Sequence, residues 1–139
     1  MNEKFTWVDA GRKSIALASC LGLFAMSAVF VTPAQADPKC THRAVINTQG
    51  NKPSSVNPDE IRARTGDSVC WKVAGKPHAD FYITYPSSSP TNSPSKSNGG
   101  WVVHVISVSH TGNSEKDTYK YDVVIPGGGK LDPKIIIDP

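Results

Sequence analysis

From residue 41 onward, apolar and polar residues mostly take turns. In Ser68–Val73, Val69, Trp71 and Val73 fall on one side and Cys70 and Lys72 on the other. In Thr118–Ile125, Tyr119, Tyr121, Val123 and Ile125 oppose Lys120, Asp122 and Val124. In Phe81–Tyr85, Phe81, Ile83 and Tyr85 oppose Tyr82 and Thr84. A period of two is the signature of a strand with one buried face. The pattern predicts strands near 41–48, 60–65, 68–74, 79–85, 101–110, 118–125 and 134–138, with Trp71, Tyr121 and Phe81 in or near the core. No stretch sustains a helical period, and a single helical turn near Pro58–Arg62 is compatible with the sequence but not required by it. About seven short strands in so short a chain point to an all-β, Greek-key β-sandwich.

One segment lacks the alternation. Pro86–Gly100 reads PSSSPTNSPSKSNGG and offers no large apolar side chain to bury. Such a stretch does not offset the entropy of its own ordering. It is expected to be a loose surface loop, and deleting Ser87–Asn98 is expected to leave the fold intact. Long loops inside compact domains are often functional, so a binding role is open as well.

The opposite imbalance marks the first residues. Arg12 and Lys13 precede Ile15–Val31, seventeen residues without a charge, and Ala34-Gln35-Ala36 supplies small residues before Asp37. That is the layout of a secretory signal over residues 1–36. A retained membrane anchor is the rival, because the run approaches the ~20 residues that span a bilayer. Leu17–Cys20 looks like a lipoprotein cleavage box, but the apolar run continues well past Cys20. The remaining residues, 37–139, are enough for one domain with a modest core.

Export changes how the cysteines are read. Only Cys40 and Cys70 lie in 37–139, and two cysteines in an exported chain are expected to pair. A free catalytic thiol is the sharper and weaker reading. Charge narrows the partners: 37–139 holds 12 Lys and Arg against 10 Asp and Glu, with no clustered basic run. A nucleic-acid partner is therefore not expected.

The run from Asn57-Pro58 through Gly66-Asp67-Ser68-Val69-Cys70-Trp71 resembles the cupredoxins, whose pattern is a Pro, an alternating strand, then Gly-Asp-x-Val-x-Trp. Pro77-His78 stands where that family carries its first copper-ligand His. Tyr119-Lys120-Tyr121 is similar to the strand leading into the ligand loop, and Lys134–Asp138 to the closing strand. The resemblance covers most of 37–139 and implies a cupredoxin-like sandwich in the cell envelope, periplasmic or secreted.

The departure from that pattern lies in its chemistry. The family's Cys would fall at Val123, the loop beyond it is Pro126-Gly127-Gly128-Gly129-Lys130-Leu131, and 37–139 contains no Met. A type 1 copper centre needs a thiolate, two imidazoles and usually a weak axial ligand. No cofactor is therefore expected, with copper as the alternative. His78 is the first metal candidate by position, and His104 and His110 are possible partners for it. His104 shares a face with Ile106 and Val108, so a hydrogen-bonded, half-buried histidine is the plainer reading. His104 and His110 lie too far apart along one strand to share an ion. His42 has no evident partner.

Catalytic signatures are missing: there is no Gly-x-Ser-x-Gly, phosphate loop or His-Glu-x-x-His. Asp80, close to His78, is at most a candidate to orient it, so the chain is not expected to be an enzyme. Two readings stay open. One is a binding or accessory module acting through its loop end, Ala74–Ala79, Pro86–Gly100 and Pro126–Asp132, with Tyr82 and Trp101 as aromatic anchors. Its partner would be an envelope protein or a small ligand, and a membrane only if the leader is retained. The other is a copper-binding or electron-transfer protein with an atypical site at His78. A structural subunit pairing through an edge strand is a weaker third option.

Overall fold

Residues 36–139 are described by a computed structural model, and they contain ten β-strands and no helix. These are β1 (His42–Gln49), β2 (Lys52–Asn57), β3 (Glu60–Ala63), β4 (Ser68–Val73), β5 (Tyr82–Thr84), β6 (Trp101–Val105), β7 (Thr118–Lys120), β8 (Asp122–Ile125), β9 (Gly129–Leu131) and β10 (Lys134–Ile137). The secretory signal expected over 1–36 lies outside the described residues except for Ala36.

The first sheet has the order β2-β1-β4-β6, with β1 and β4 parallel and the other pairs antiparallel. The remaining strands form two ladders, β3-β10-β7 and β5-β8-β9. These ladders run into each other. β7 continues into β8 across Tyr121, and β9 into β10 across Asp132-Pro133, with the Tyr121 N–H donating to the Pro133 carbonyl at 3.0 Å. The second face of the sandwich is thus one bent sheet, in which β3 and β10 are parallel. β2 and β3 are joined by a two-residue corner and belong to opposite sheets, which closes one side.

The alternation read from the sequence sets the core. Val69, Trp71, Val73, Phe81, Ile83, Tyr121 and Val123 are all buried, together with Ile46, Ile135 and Ile137 from neighbouring strands. Cys70 points away from Trp71 and is covered by its bridge to Cys40. The expected Cys40–Cys70 pair is therefore present, and it ties the segment before β1 to the middle of β4.

The structure corrects the strand count and several limits. β2 and β9 add to the seven, and 118–125 is divided between two ladders. β6 stops at Val105 because β4 begins at Ser68, whose partner is Val105. Ile106 then bonds instead with the turn at Gly66 and Asp67. β3 stops at Ala63 because the chain turns there, the Asp67 N–H donating to the Arg64 carbonyl at 3.0 Å.

The largest correction concerns 86–100, which is a fastened strap rather than a loose loop. Ile83 N–H donates to Ser95 O, Ser97 N–H to Phe81 O, and Ser107 N–H to Pro90 O, at 2.8–2.9 Å. Ser97 Oγ also accepts from the Phe81 N–H and donates to Ala79 O, each at 3.1 Å. The strap pairs with β5 on one side and reaches β6 on the other, through Ser93 Oγ to the Val105 N–H and through the Asn98–Trp101 bridge. It thus closes the second side of the sandwich, and it does so with backbone groups and hydroxyls rather than apolar side chains.

Candidate functional site

One end of the sandwich gathers the β1–β2 turn, the loop 74–79, the end of the strap and the β8–β9 turn. Gly100 sits here at φ +81°, and a Cβ on it would overlap the Pro77 carbonyl oxygen. A Cβ on Gly128 would likewise overlap the Asn51 carbonyl oxygen, so the β8–β9 turn lies directly on the β1–β2 turn. Lys76 Nζ donates to the Gly50 carbonyl and fastens the third loop to the same place. The stretch 126–132, expected as a glycine loop, is a hairpin turn with a short returning strand: Val123 pairs with Leu131 and Ile125 with Gly129.

Val123, the position where the resemblance would put a thiolate, is fully buried between its pairing partners Ile83 and Leu131. His78 is exposed, and neither it nor Asp80 makes a side-chain hydrogen bond or ion pair among the described residues. His104 is buried and both of its ring nitrogens are engaged. Nε2 donates to the Pro94 carbonyl at 3.2 Å, so the neutral ring carries its proton there, and Nδ1 accepts from the Tyr85 hydroxyl at 2.9 Å. Trp71 packs edge-on against His104 at 5.0 Å and against Tyr121 at 5.4 Å, and its Nε1 donates to the Tyr121 hydroxyl. Burial pushes His104 down to about 4 and Tyr121 up to about 12, and raises Tyr85 as well. This is a satisfied polar-aromatic core in which both ring nitrogens of His104 already have partners.

His110 is held through one ring nitrogen. Its Nδ1 donates to the Ile137 carbonyl at 2.9 Å and lies 3.1 Å from Asp117 Oδ2. Burial would raise the Asp117 carboxyl, but the Thr111 N–H and hydroxyl, both bonded to Oδ1, hold it below the usual carboxylate range with help from His110. His42, for which the sequence suggested no partner, is 2.9 Å from Asp67 Oδ2 through its Nε2. That hydrogen bond, and a second from the Arg64 N–H, hold Asp67 below its ordinary value.

Among the described residues, no group of three or more His, Cys, Asp or Glu is placed to hold a metal ion. Both described cysteines are in the disulfide. A type 1 copper centre requires a thiolate, and among the described residues none is free to supply one.

Trp101 is different. It leads β6 on the outer face of the first sheet, paired with Lys72 of β4. The Lys72 ammonium lies 5.1 Å from the indole centroid and the Arg43 guanidinium carbon 5.5 Å. Both distances are within cation–π range. A groove of about 280 Å³ runs along one side, lined by Pro38, Pro94, Lys96, Asn98 and Val103. Another of about 240 Å³ runs along the other side, past Asp37, Lys72, Gly75, Lys76 and Pro77. Tyr82, the second expected anchor, stands half-buried on β5 and lines neither groove, although its strand bridges to Lys96. Sequence reasoning missed Arg43 and Lys72. The signal was the outward parity of Lys72, opposite Trp71, but the pairing that sets it against Trp101 is a matter of register between distant strands.

No protein-family model and no curated protein sequence matches this chain. Solved structures of amicyanin are similar to it at low identity. The reduced state of a proline-to-phenylalanine amicyanin mutant is 14% identical, over 68% of this chain and 80% of that one, with a TM-score of 0.35. The reduced Cu(I) form at pH 4 of a proline-to-glycine mutant is 13% identical, over 75% and 86%, at 0.37. Amicyanin from Paracoccus versutus is 14% identical, over 68% and 79%, at 0.33.

Proposed function

We propose that this chain is an exported, non-enzymatic binding or accessory module on a cupredoxin-like sandwich, with no type 1 copper role. In this reading residues 1–36 are the secretory signal, 37–139 are the working domain, and the location is the periplasm or the exterior. Among the described residues no helix is long and apolar enough to cross a membrane. The observation that carries the reading is Trp101, held on an outer sheet face beside two cations with a groove on each side. A half-buried aromatic flanked by Arg is the kind of residue that anchors contacts.

The second reading, a copper or electron-transfer protein, rests on His78, whose imidazole is exposed and unengaged. Copper and zinc titration of the purified protein, followed by visible absorption and electron paramagnetic resonance, separates the two. The expected outcome is no tight one-to-one binding and no change on His78→Ala. Tight binding that His78→Ala removes would replace the binding-module reading with the metal one.

A further inference from the structure

The charge around Trp101 is one-sided. Arg43, Lys72, Lys76 and Lys96 lie at the ring or line its grooves, against a single carboxylate, Asp37, which is already 3.4 Å from Arg43. Among the described residues Lys72 and Lys96 have no carboxylate within ion-pair distance. An unpaired cluster of this kind favours a negatively charged occupant. Prolines, a valine and the indole give the same face flat apolar walls.

The fold also bears on what form the occupant takes. One way for an extended peptide to dock is to add a strand to a free edge. The outer edge of β6 is already used by the strap, through Asn98, Ser93 and Pro90. Trp101 lines both grooves, which are small at about 280 and 240 Å³. Short grooves flanking one aromatic suit rings linked in series.

We infer that the Trp101 face binds an acidic glycan, with one uronate-type ring beside the indole and the carboxylates of successive rings on Lys72, Lys96 and Arg43. This deepens the binding-module reading and rests on it. The test uses protein expressed from the full 139-residue chain and purified as it emerges. The probes are tetragalacturonic acid, neutral cellotetraose and a short single-stranded oligonucleotide. Titrations are read by indole fluorescence and by amide and indole N–H chemical shifts.

The galacturonate is expected to bind with shifts centred on Trp101, Lys72 and Lys96, and to weaken as salt rises. Cellotetraose should bind at least tenfold more weakly. Lys72→Gln and Lys96→Gln, both surface changes, should each weaken the acidic probe several-fold. Trp101→Phe should reduce affinity while near-ultraviolet circular dichroism stays that of a folded protein. Galacturonate binding indifferent to these three variants, equal binding of the neutral sugar, or tighter binding of the oligonucleotide would each overturn the inference. No binding of galacturonate would overturn it too. In that case a metal titration that still shows no tight site leaves the module reading standing, whereas tight copper binding removes both.

Discussion

At the scale of single residues, His104 shows how position decides chemistry. The same imidazole that qualified as a ligand candidate is a core side chain, because its neighbours Tyr85 and Pro94 use both nitrogens. Parity along β6 placed it on the buried face with Ile106, and that much was legible; the Tyr85 hydroxyl and the Pro94 carbonyl come from segments whose approach no local pattern encodes. The cost of charging it is measurable. Its folded value, about 4, lies below the ordinary 6.5, so the unfolded chain binds the extra proton between these limits. Stability is therefore fully present above about pH 6.5 and is lost as pH falls toward 4, by on the order of 3 kcal/mol. Urea midpoints from pH 7.5 to 4 should follow that slope, and His104→Gln should flatten it. A flat profile in the unaltered protein would contradict the burial argument. Gly100→Ala tests the other contact of this end: its Cβ meets the Pro77 carbonyl, so a loss of roughly 1–3 kcal/mol is expected. An unchanged thermal midpoint would mean that the 74–79 loop moves aside.

At the scale of elements, the strands with clear alternation were readable and those without it were not. β2 is KPSSVN, with only Pro53 and Val56 buried, and it is a strand because β1 holds its register. β9 is GKL, three residues that form a ladder because the turn at Gly127 and Gly128 returns the chain along β8. The strap was misread for a related reason. Its stabilisation lies in hydrogen bonds to Phe81, Ile83, Val105 and Ser107, which hydropathy does not register. The expectation for deletion therefore reverses. Removing Ser87–Asn98 should lower the thermal midpoint clearly. Ser97→Ala, which strands the buried Phe81 N–H, should cost about 1–3 kcal/mol. In a domain this size that is a fall of roughly 4–8 °C per kcal/mol. A deletion variant melting with the parent would restore the loose-loop picture.

At the scale of the whole molecule, the sandwich is closed on both sides and stapled at its start. The bridge Cys40–Cys70 closes a separation of 30 residues. A loop of that length is worth roughly 3–4 kcal/mol on the chain-entropy account. Reduced protein should show a urea midpoint lowered accordingly, and equal midpoints for oxidised and reduced forms would show that the β1–β4 pairing alone holds the register. All-β architecture and the bridge were legible, because parity and cysteine count are local or arithmetic facts. The Trp101 site was only half legible, since its cations arrive through pairings across three strands. With Gly128 backed against Asn51, main chain lies directly on main chain where the β8–β9 turn meets the β1–β2 turn. A thiol introduced by Val123→Cys would be walled in by Ile83 and Leu131, and both ring nitrogens of the buried His104 are already engaged. Adding copper to that variant should yield no blue charge-transfer band. A metal site at this hairpin would thus take more than one substitution, because the hairpin itself would have to be rebuilt.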